Sequence, residues 1–163
     1  MTDPSGALQP GQPAPEFTLP AGLDRRVSLA DSRGRPTVLA FYPADWSPVC
    51  GDQMALYQAA RPAFDQYDAT LLGISVDSVW CHKAFAASAG IEFPLLSDFE
   101  PKGAVARRYG VYGPDGYAER ALFVLDTRAQ VSWSYVSPTD VNPGADGILD
   151  ALDALTSRQQ ARA

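Results

Sequence analysis

The sequence predicts an α/β protein in which helices cover both faces of a mixed central sheet. Short apolar runs that are typical of buried strands alternate with segments of helical periodicity through most of the chain. Two further strand-like runs near the C-terminus flank a short turn, which predicts a hairpin and therefore an antiparallel part of the sheet. The length of 163 residues fits a single domain.

The N-terminal segment is rich in proline, which removes the backbone donors that regular pairing needs. We therefore expect residues 1–12 to form a flexible arm, residues 13–157 to form the single folded domain, and residues 158–163 to form a C-terminal tail. Just after the arm, residues 17–19 and 27–29 flank a glycine-containing turn. They predict a small hairpin that extends the domain at its N-terminus.

The remaining elements are predicted from the spacing of apolar residues and from the turn residues between them. Five apolar runs predict the strands of the sheet: residues 37–42, 70–76, 93–96, 121–125 and 131–136. Four segments predict helices: one that begins at Pro48, with a kink or break at Pro62, then residues 78–89, 101–109 and 148–157. This order is close to that of the thioredoxin fold with an N-terminal extension.

Charge and composition exclude several classes of function. The formal net charge of −6 argues against binding to nucleic acid or to an anionic membrane surface. No apolar run approaches the roughly 18 residues that a transmembrane helix needs. The N-terminus has neither the basic nor the apolar segment of a secretory signal, so we expect a cytoplasmic protein whose two cysteines are thiols.

The junction between the first core strand and the first helix is the most informative stretch. Cys50 lies in the first turn of the helix that begins at Pro48. Ser47 before that proline is the usual combination of N-cap and first helical residue. The free N–H groups and the dipole of a helix N-terminus favour a thiolate over a thiol, so Cys50 is a candidate nucleophile.

The helix terminus alone is too weak to make a cysteine strongly nucleophilic. Lowering the pKa of a thiol from about 8.5 to about 6 requires roughly 3.4 kcal/mol. A helix N-terminus typically supplies about 0.3 to 1 kcal/mol and at best about 2. A cation should therefore stand beside Cys50. Arg120 is the best candidate, because it immediately precedes an apolar strand and can project from the sheet edge towards the helix start.

Four separated blocks of the sequence resemble the peroxiredoxins. Pro43, Ser47 and Cys50 fit the Pro-x-x-x-(Thr/Ser)-x-x-Cys signature of that family, with serine where threonine is more common. Further matching blocks follow in the right order: residues 93–98, residues 104–110, and Arg120 with residues 123–126. The resemblance runs from about residue 13 to residue 155. It is greatest to the alkyl hydroperoxide reductase E type, with the bacterioferritin comigratory type next.

The resemblance implies a thioredoxin-like fold and a thiol-dependent peroxidase that reduces hydrogen peroxide and organic hydroperoxides. Cys50 would be the peroxidatic nucleophile, which attacks the peroxide as thiolate and becomes sulfenic acid. The other implied site residues are Pro43, Ser47 and Arg120 as catalytic residues, and Val49 and Trp46 as substrate contacts. Trp46 can equally well pack under the loop. No metal and no other cofactor is implied.

The sequence leaves open how Cys50 is reduced again. Ala55 stands where many comigratory-type relatives carry a second cysteine, which excludes that form of the cycle. Cys81 is either the resolving cysteine or a bystander, and a disulfide to Cys50 would require Cα atoms within about 7 Å. The alternative is an external reductant, which would be a thioredoxin-like protein, a glutaredoxin-like protein or a low-molecular-weight thiol.

Three further expectations concern residues around the site. His82 has no metal-ligand spacing around it and is expected on a helix surface. Asp77 or Ser78 is expected to cap the same helix. Exposed aromatic rings near the site, Trp46 and Tyr112 among them, would suit the interface of a homodimer.

Two other functions compete with the peroxidase. A peroxide-responsive redox sensor or regulatory binding module could use the same scaffold and the same cysteine. A disulfide oxidoreductase of the thioredoxin type ranks last, because the chain contains no Cys-x-x-Cys motif.

Overall fold

The computed structural model describes residues 6–162, which form two sheets and five α-helices. The strands are β1 (Thr18–Pro20), β2 (Arg26–Ser28), β3 (Thr37–Phe41), β4 (Thr70–Ser75), β5 (Leu95–Ser97), β6 (Arg120–Leu125) and β7 (Val131–Ser137). The helices are α1 (Pro48–Ala59), α2 (Arg61–Asp65), α3 (Val79–Ala89), α4 (Ala104–Arg108) and α5 (Asp146–Arg162). No helix in this part of the chain is long and apolar enough to cross a membrane.

The central sheet is mixed, as the sequence predicts, with the strand order β5-β4-β3-β6-β7. β3 pairs in parallel with β4 and antiparallel with β6, and its five residues are all buried. The carboxyl ends of β3 and β4 therefore lie at one edge of the sheet, where the chain turns into α1 and α3. Because β6 runs in the opposite direction, its first residue, Arg120, lies at that same edge, next to the pairing of Ala121 with Phe41.

The two faces of the sheet carry separate apolar cores. Leu39 and Phe41 of β3 point into a core that includes residues of the β1–β2 hairpin and of α4. Val38 and Ala40 alternate with them and point into a second core, which α1, α3 and α5 cover. The fold class, a thioredoxin-like sheet with helices on both faces and an N-terminal hairpin, agrees with the prediction.

The described part of the N-terminal arm makes backbone hydrogen bonds to the domain. Residues 1–5 lie outside the described residues, whereas residues 6–12 lie against the domain. The N–H of Leu8 donates to the carbonyl of Tyr109 at 3.1 Å, that of Gly11 donates to Val131 at 2.8 Å, and Ala7 is buried. The prolines of this segment have no N–H group, but the N–H groups of Leu8 and Gly11 donate to carbonyls of the domain.

Helix boundaries agree with the prediction at Pro62 and differ most at the start of α4 and at the end of α5. α1 ends at Ala59, and a separate short helix with Pro62 in its first turn follows. α4 begins only at residue 104, because Gly103 before it adopts a left-handed φ of 70°. α5 continues through the predicted tail to Arg162, since that segment has no glycine or proline to end the helix.

Candidate active site

Cys50 is held at the sheet edge by the turn between β3 and α1. Ser47 is the N-cap of α1, Pro48 is its first residue and Cys50 its third, as predicted. The Cys50 side chain is fully buried. The hydroxyl of Ser47 caps no backbone N–H among residues 6–162, which leaves it available to a bound molecule.

Arg120 supplies the cation that the helix terminus lacks. Its Nη1 lies 3.3 Å from the sulfur of Cys50, and the side chain is only 1% exposed. Nε and Nη2 both donate to the carbonyl oxygen of Thr139, at 3.1 and 2.7 Å. None of the ion pairs formed within residues 6–162 involves Arg120. Its positive charge therefore faces the sulfur without a competing carboxylate.

Two polar residues behind Arg120 belong to the site and are missed by sequence reasoning. Nη1 of Arg120 also donates to Oε1 of Gln53 at 2.7 Å, and Nε2 of Gln53 donates to the hydroxyl of Tyr57 at 3.0 Å. Both side chains are fully buried. They follow Cys50 by three and seven positions, and this spacing places all three on one face of α1. That spacing is the signal that could have found them.

The remaining predicted site residues surround the turn. Pro43 is buried, and Val49 is half-buried. Trp46 is 56% exposed and adopts a left-handed φ of 69°, with its ring edge-on to Phe85 of α3 at 5.6 Å between centroids. Of the two alternatives for Trp46, its exposure favours a place on the rim over packing beneath the loop.

The other side of the turn is anchored by a buried contact between Asp45 and His82. The Asp45 carboxylate lies 2.6 Å from Nδ1 of His82 and accepts a hydrogen bond from the Tyr42 hydroxyl at 2.7 Å. Nε2 of His82 lies 3.1 Å from the carbonyl of Leu96. Burial, together with the charge of Asp45, raises the pKa of Tyr42 well above its ordinary value. The expectation that His82 lies on the helix surface is wrong, because the side chain is 5% exposed and reaches inwards to the carboxylate.

Cys81 lies beside acidic groups. Its sulfur is 3.8 Å from Oδ1 of Asp77, while the other oxygen of that carboxylate accepts from the N–H of Asp45 at 2.9 Å. Burial raises the pKa of the Cys81 thiol to about 11, with a further contribution from the charges of Asp45 and Asp77. Ser78 is the residue that caps α3, and its hydroxyl accepts from the N–H of Cys81. Both cysteines of the chain are free thiols.

Tyr112 does not have the exposed ring that the sequence suggested. It is half-buried, and the guanidinium carbon of Arg107 lies 3.8 Å from its ring centroid. The ring also occupies the space beside Gly103, where an added Cβ would collide with it. The exposed aromatic side chains of the described residues are instead Trp46, Trp80, Phe99 and Tyr135.

Comparison of the sequence with known proteins matches it to one protein family and to a relative of nearly the same length. Residues 10–134 match the model of the AhpC/TSA family. Alkyl hydroperoxide reductase E of Mycobacterium tuberculosis is 35% identical over 152 residues, which cover 92% of this chain and 99% of that protein.

Solved structures agree with the sequence relatives. Peroxidoxin BcpB of Mycobacterium tuberculosis superposes with a TM-score of 0.82 at 31% identity and covers 91% of this chain and 98% of that one. AhpC of Enterococcus faecalis gives a TM-score of 0.85 at 26% identity, with 94% and 96% covered.

Proposed function

Since the chain belongs to the AhpC/TSA family and is a thiol-dependent peroxidase, we propose that Cys50 is its peroxidatic nucleophile. One observation carries this assignment, the 3.3 Å contact between the Cys50 sulfur and Nη1 of Arg120, with both side chains buried. A buried guanidinium favours the anionic form of the sulfur, and the start of α1 adds a smaller contribution of the same sign. The sulfur of Cys81, in contrast, lies beside the carboxylate of Asp77.

The proposed reaction is a displacement at the peroxide oxygen. The thiolate of Cys50 attacks the terminal oxygen of the hydroperoxide, an S–O bond forms and the O–O bond breaks. The sulfur is oxidised to sulfenic acid, and the leaving oxygen takes a proton and departs as water or as an alcohol. In this proposal Nη1 of Arg120 and the hydroxyl of Ser47 would donate to the peroxide oxygens as negative charge develops. Pro43, which is buried in the turn before α1, would keep water from the sulfur.

For the return step we propose an external thiol rather than Cys81. A resolving cysteine must attack as thiolate, and the raised pKa of Cys81, about 11, keeps it protonated at neutral pH. The external thiol would attack the sulfenic acid, which releases water and leaves a mixed disulfide on Cys50. A second thiol would then restore the Cys50 thiol and leave as a disulfide. A thioredoxin-like protein, a glutaredoxin-like protein and a low-molecular-weight thiol all fit this scheme.

Mass spectrometry of the peroxide-treated protein tests the return step. With one equivalent of peroxide and no reductant, we expect a gain of one oxygen on Cys50 and an unmodified Cys81. A loss of two hydrogens with linked Cys50 and Cys81 peptides would replace this scheme with a two-cysteine cycle. Steady-state turnover of Cys81→Ser with each class of reductant should equal that of the parent protein.

We also propose that the protein acts in the cytoplasm and forms a homodimer. The free thiols and the absence of a disulfide framework in the sequence support a reducing compartment. Trp46, Trp80 and Phe99 are each more than half exposed, and large exposed aromatic side chains support an interface between two copies. Sedimentation of the parent protein and of Trp80→Ser over a range of concentrations tests the dimer. Identical monomer mass for both would contradict it.

A further inference from the structure

A directed chain of hydrogen bonds runs from the loop before α5 to the catalytic arginine. The hydroxyl of Tyr57 donates to the carbonyl of Gly144 at 3.0 Å and accepts from Nε2 of Gln53 at 3.0 Å. Oε1 of Gln53 accepts from Nη1 of Arg120 at 2.7 Å, and the same Nη1 faces the sulfur of Cys50. Four groups are thus connected in one line behind the nucleophile.

The chemistry of the groups fixes the direction of this chain. A guanidinium can only donate, so the oxygen end of the Gln53 amide must face Arg120. The NH₂ end then faces inwards and needs an acceptor, since an unpaired buried donor is costly. The Tyr57 oxygen can accept because its own proton is directed to Gly144.

Tyr57 remains a neutral hydroxyl under all ordinary conditions. Burial raises its pKa to about 12, although the hydrogen bond from Gln53 and the charge of Arg120 lower it. A neutral hydroxyl is the form that can donate to a carbonyl and accept from an amide at once.

The guanidinium of Arg120 is held by two partners. One is the backbone carbonyl of Thr139, and the other is the side chain of Gln53. Nε and Nη2 share the carbonyl oxygen of Thr139, and neither of these hydrogen bonds involves Nη1. Gln53 is the second anchor, and it determines where Nη1 points. If the amide turned over, its NH₂ end would face the guanidinium and this anchor would be lost.

We propose that Tyr57 is a positioning residue for the peroxidase reaction: its hydroxyl fixes the orientation of the Gln53 amide and thereby aims Nη1 of Arg120 at the Cys50 sulfur. The inference rests on the proposed function, in which Arg120 stabilises the thiolate. Tyr57 acts on the Cys50 sulfur through two intervening side chains, those of Gln53 and Arg120.

Tyr57→Phe tests the inference with a single oxygen removed. We expect kcat/KM for peroxide to fall about two- to tenfold, the range that corresponds to one hydrogen bond. We expect the thiolate absorbance of Cys50 at neutral pH to fall with it, measured in the Cys81→Ser background so that one thiol contributes. Unchanged kcat/KM and unchanged thiolate absorbance in a folded Tyr57→Phe protein would overturn the proposal.

Tyr109→Phe is the matched control. The Tyr109 hydroxyl is also buried and donates to a carbonyl, that of Pro15 at 2.8 Å, but it belongs to the core on the opposite face of the sheet. We expect a comparable loss of thermal stability in the two variants and a loss of kcat/KM in Tyr57→Phe alone. Equal losses of kcat/KM in both variants would make the effect one of general stability and overturn the proposal.

A double-mutant cycle with Gln53→Met separates an action through Gln53 from a local packing effect. Methionine keeps most of the side-chain volume and removes the amide, so the hydroxyl of Tyr57 then has nothing to orient. Tyr57→Phe should cause no further fall of kcat/KM in that background. A fall of the same size as in the parent protein would show that Tyr57 does not act through Gln53.

Cys50→Ser distinguishes failure of this inference from failure of the proposed function. Normal peroxidase activity in Cys50→Ser would remove the premise itself. An inactive Cys50→Ser protein together with a fully active Tyr57→Phe protein would leave the peroxidase assignment in place and remove only the role of Tyr57.

Discussion

The two cysteines occupy the same position in two helices and have opposite electrostatic surroundings. Cys50 is the third residue of α1 after the N-cap Ser47, and Cys81 is the third residue of α3 after the N-cap Ser78. The helix dipole therefore acts on both sulfurs alike. The Cys50 sulfur faces the guanidinium of Arg120 at 3.3 Å, whereas the Cys81 sulfur faces the carboxylate of Asp77 at 3.8 Å.

The two sulfurs share the position at a helix terminus and differ in what surrounds them. Burial is the main cause that raises the pKa of Cys81, and the charges of Asp45 and Asp77 add to it, whereas the Cys50 sulfur lies beside a buried guanidinium. β6 runs antiparallel to β3 and delivers Arg120 to α1, while the loop after β4 delivers Asp77 to α3.

Removal of each thiol gives the largest contrast. Cys50→Ser should abolish peroxide reduction, because a serine hydroxyl is not ionised at neutral pH and cannot be oxidised in this way. Cys81→Ser should retain full activity with an external thiol. The rate of peroxide consumption in a coupled assay checks both variants, and an active Cys50→Ser protein would contradict the assignment of the nucleophile.

Removal of the cation should come next in size. Arg120→Ala should lower kcat/KM for peroxide by about 10- to 100-fold, the range expected for a hydrogen bond to a charged group. Arg120→Lys should recover only part of this, since an ammonium cannot hold Thr139, Gln53 and the sulfur in one plane. Arg108→Ala is the control, because that arginine donates to the carbonyl of Glu16, away from the site. Equal activity of Arg120→Ala and Arg108→Ala would contradict the account.

Removal of the acidic neighbour should make the second cysteine more reactive. In a Cys50→Ser background, Asp77→Asn should increase the rate at which iodoacetamide alkylates Cys81 at pH 8 by about three- to tenfold, since a like charge is lost. The asparagine oxygen can still accept from the N–H of Asp45. Asp150→Asn, an exposed change on α5, should leave the rate as it was. No difference between the two variants would mean that Asp77 does not suppress the thiolate.

The smallest expected effect is on stability at high pH. A thiol whose pKa is raised on folding, here from 9.0 to about 11 for Cys81, is stabilising below pH 9, and its contribution is lost as the pH rises towards 11. The free energy of unfolding should therefore decline less steeply between pH 9 and pH 11 in Cys81→Ala than in the parent protein. Urea titrations at fixed pH values measure this difference, and parallel curves would contradict it.

The contact between Cys50 and Arg120 could be predicted from the sequence because both residues are tied to regular elements. A cysteine three residues into a helix after a buried strand is visible from local patterns, and Arg120 marks the start of an apolar strand. The antiparallel pairing of β3 with β6 then brings the two residues together. The mixed sheet, its hairpin and the break at Pro62 follow from the same local signals.

The contacts among Asp45, Asp77 and His82 could not be predicted in this way. The same holds for the hydrogen bonds that connect Gly144 to Arg120 through Tyr57 and Gln53. The partner of His82 is Asp45, 37 positions earlier, and no local pattern reports such a contact. Gln53 and Tyr57 are spaced as a helix face, but which face meets Arg120 depends on how α1 packs on the sheet. The contacts of residues 6–12 could not be predicted for a related reason, since Tyr109 lies 101 positions after Leu8 and Val131 lies 120 positions after Gly11.

The pH dependence of alkylation of each thiol on its own tests the central claim most directly. Iodoacetamide rates are measured from pH 5 to pH 11 in Cys81→Ser and in Cys50→Ser, with and without Arg120→Ala. We predict that Cys50 reacts far faster than Cys81 at pH 7, that Arg120→Ala removes most of this advantage, and that Cys81 becomes reactive only towards pH 11. Equal rates for the two thiols at pH 7, or a Cys50 rate that is indifferent to Arg120, would contradict the account.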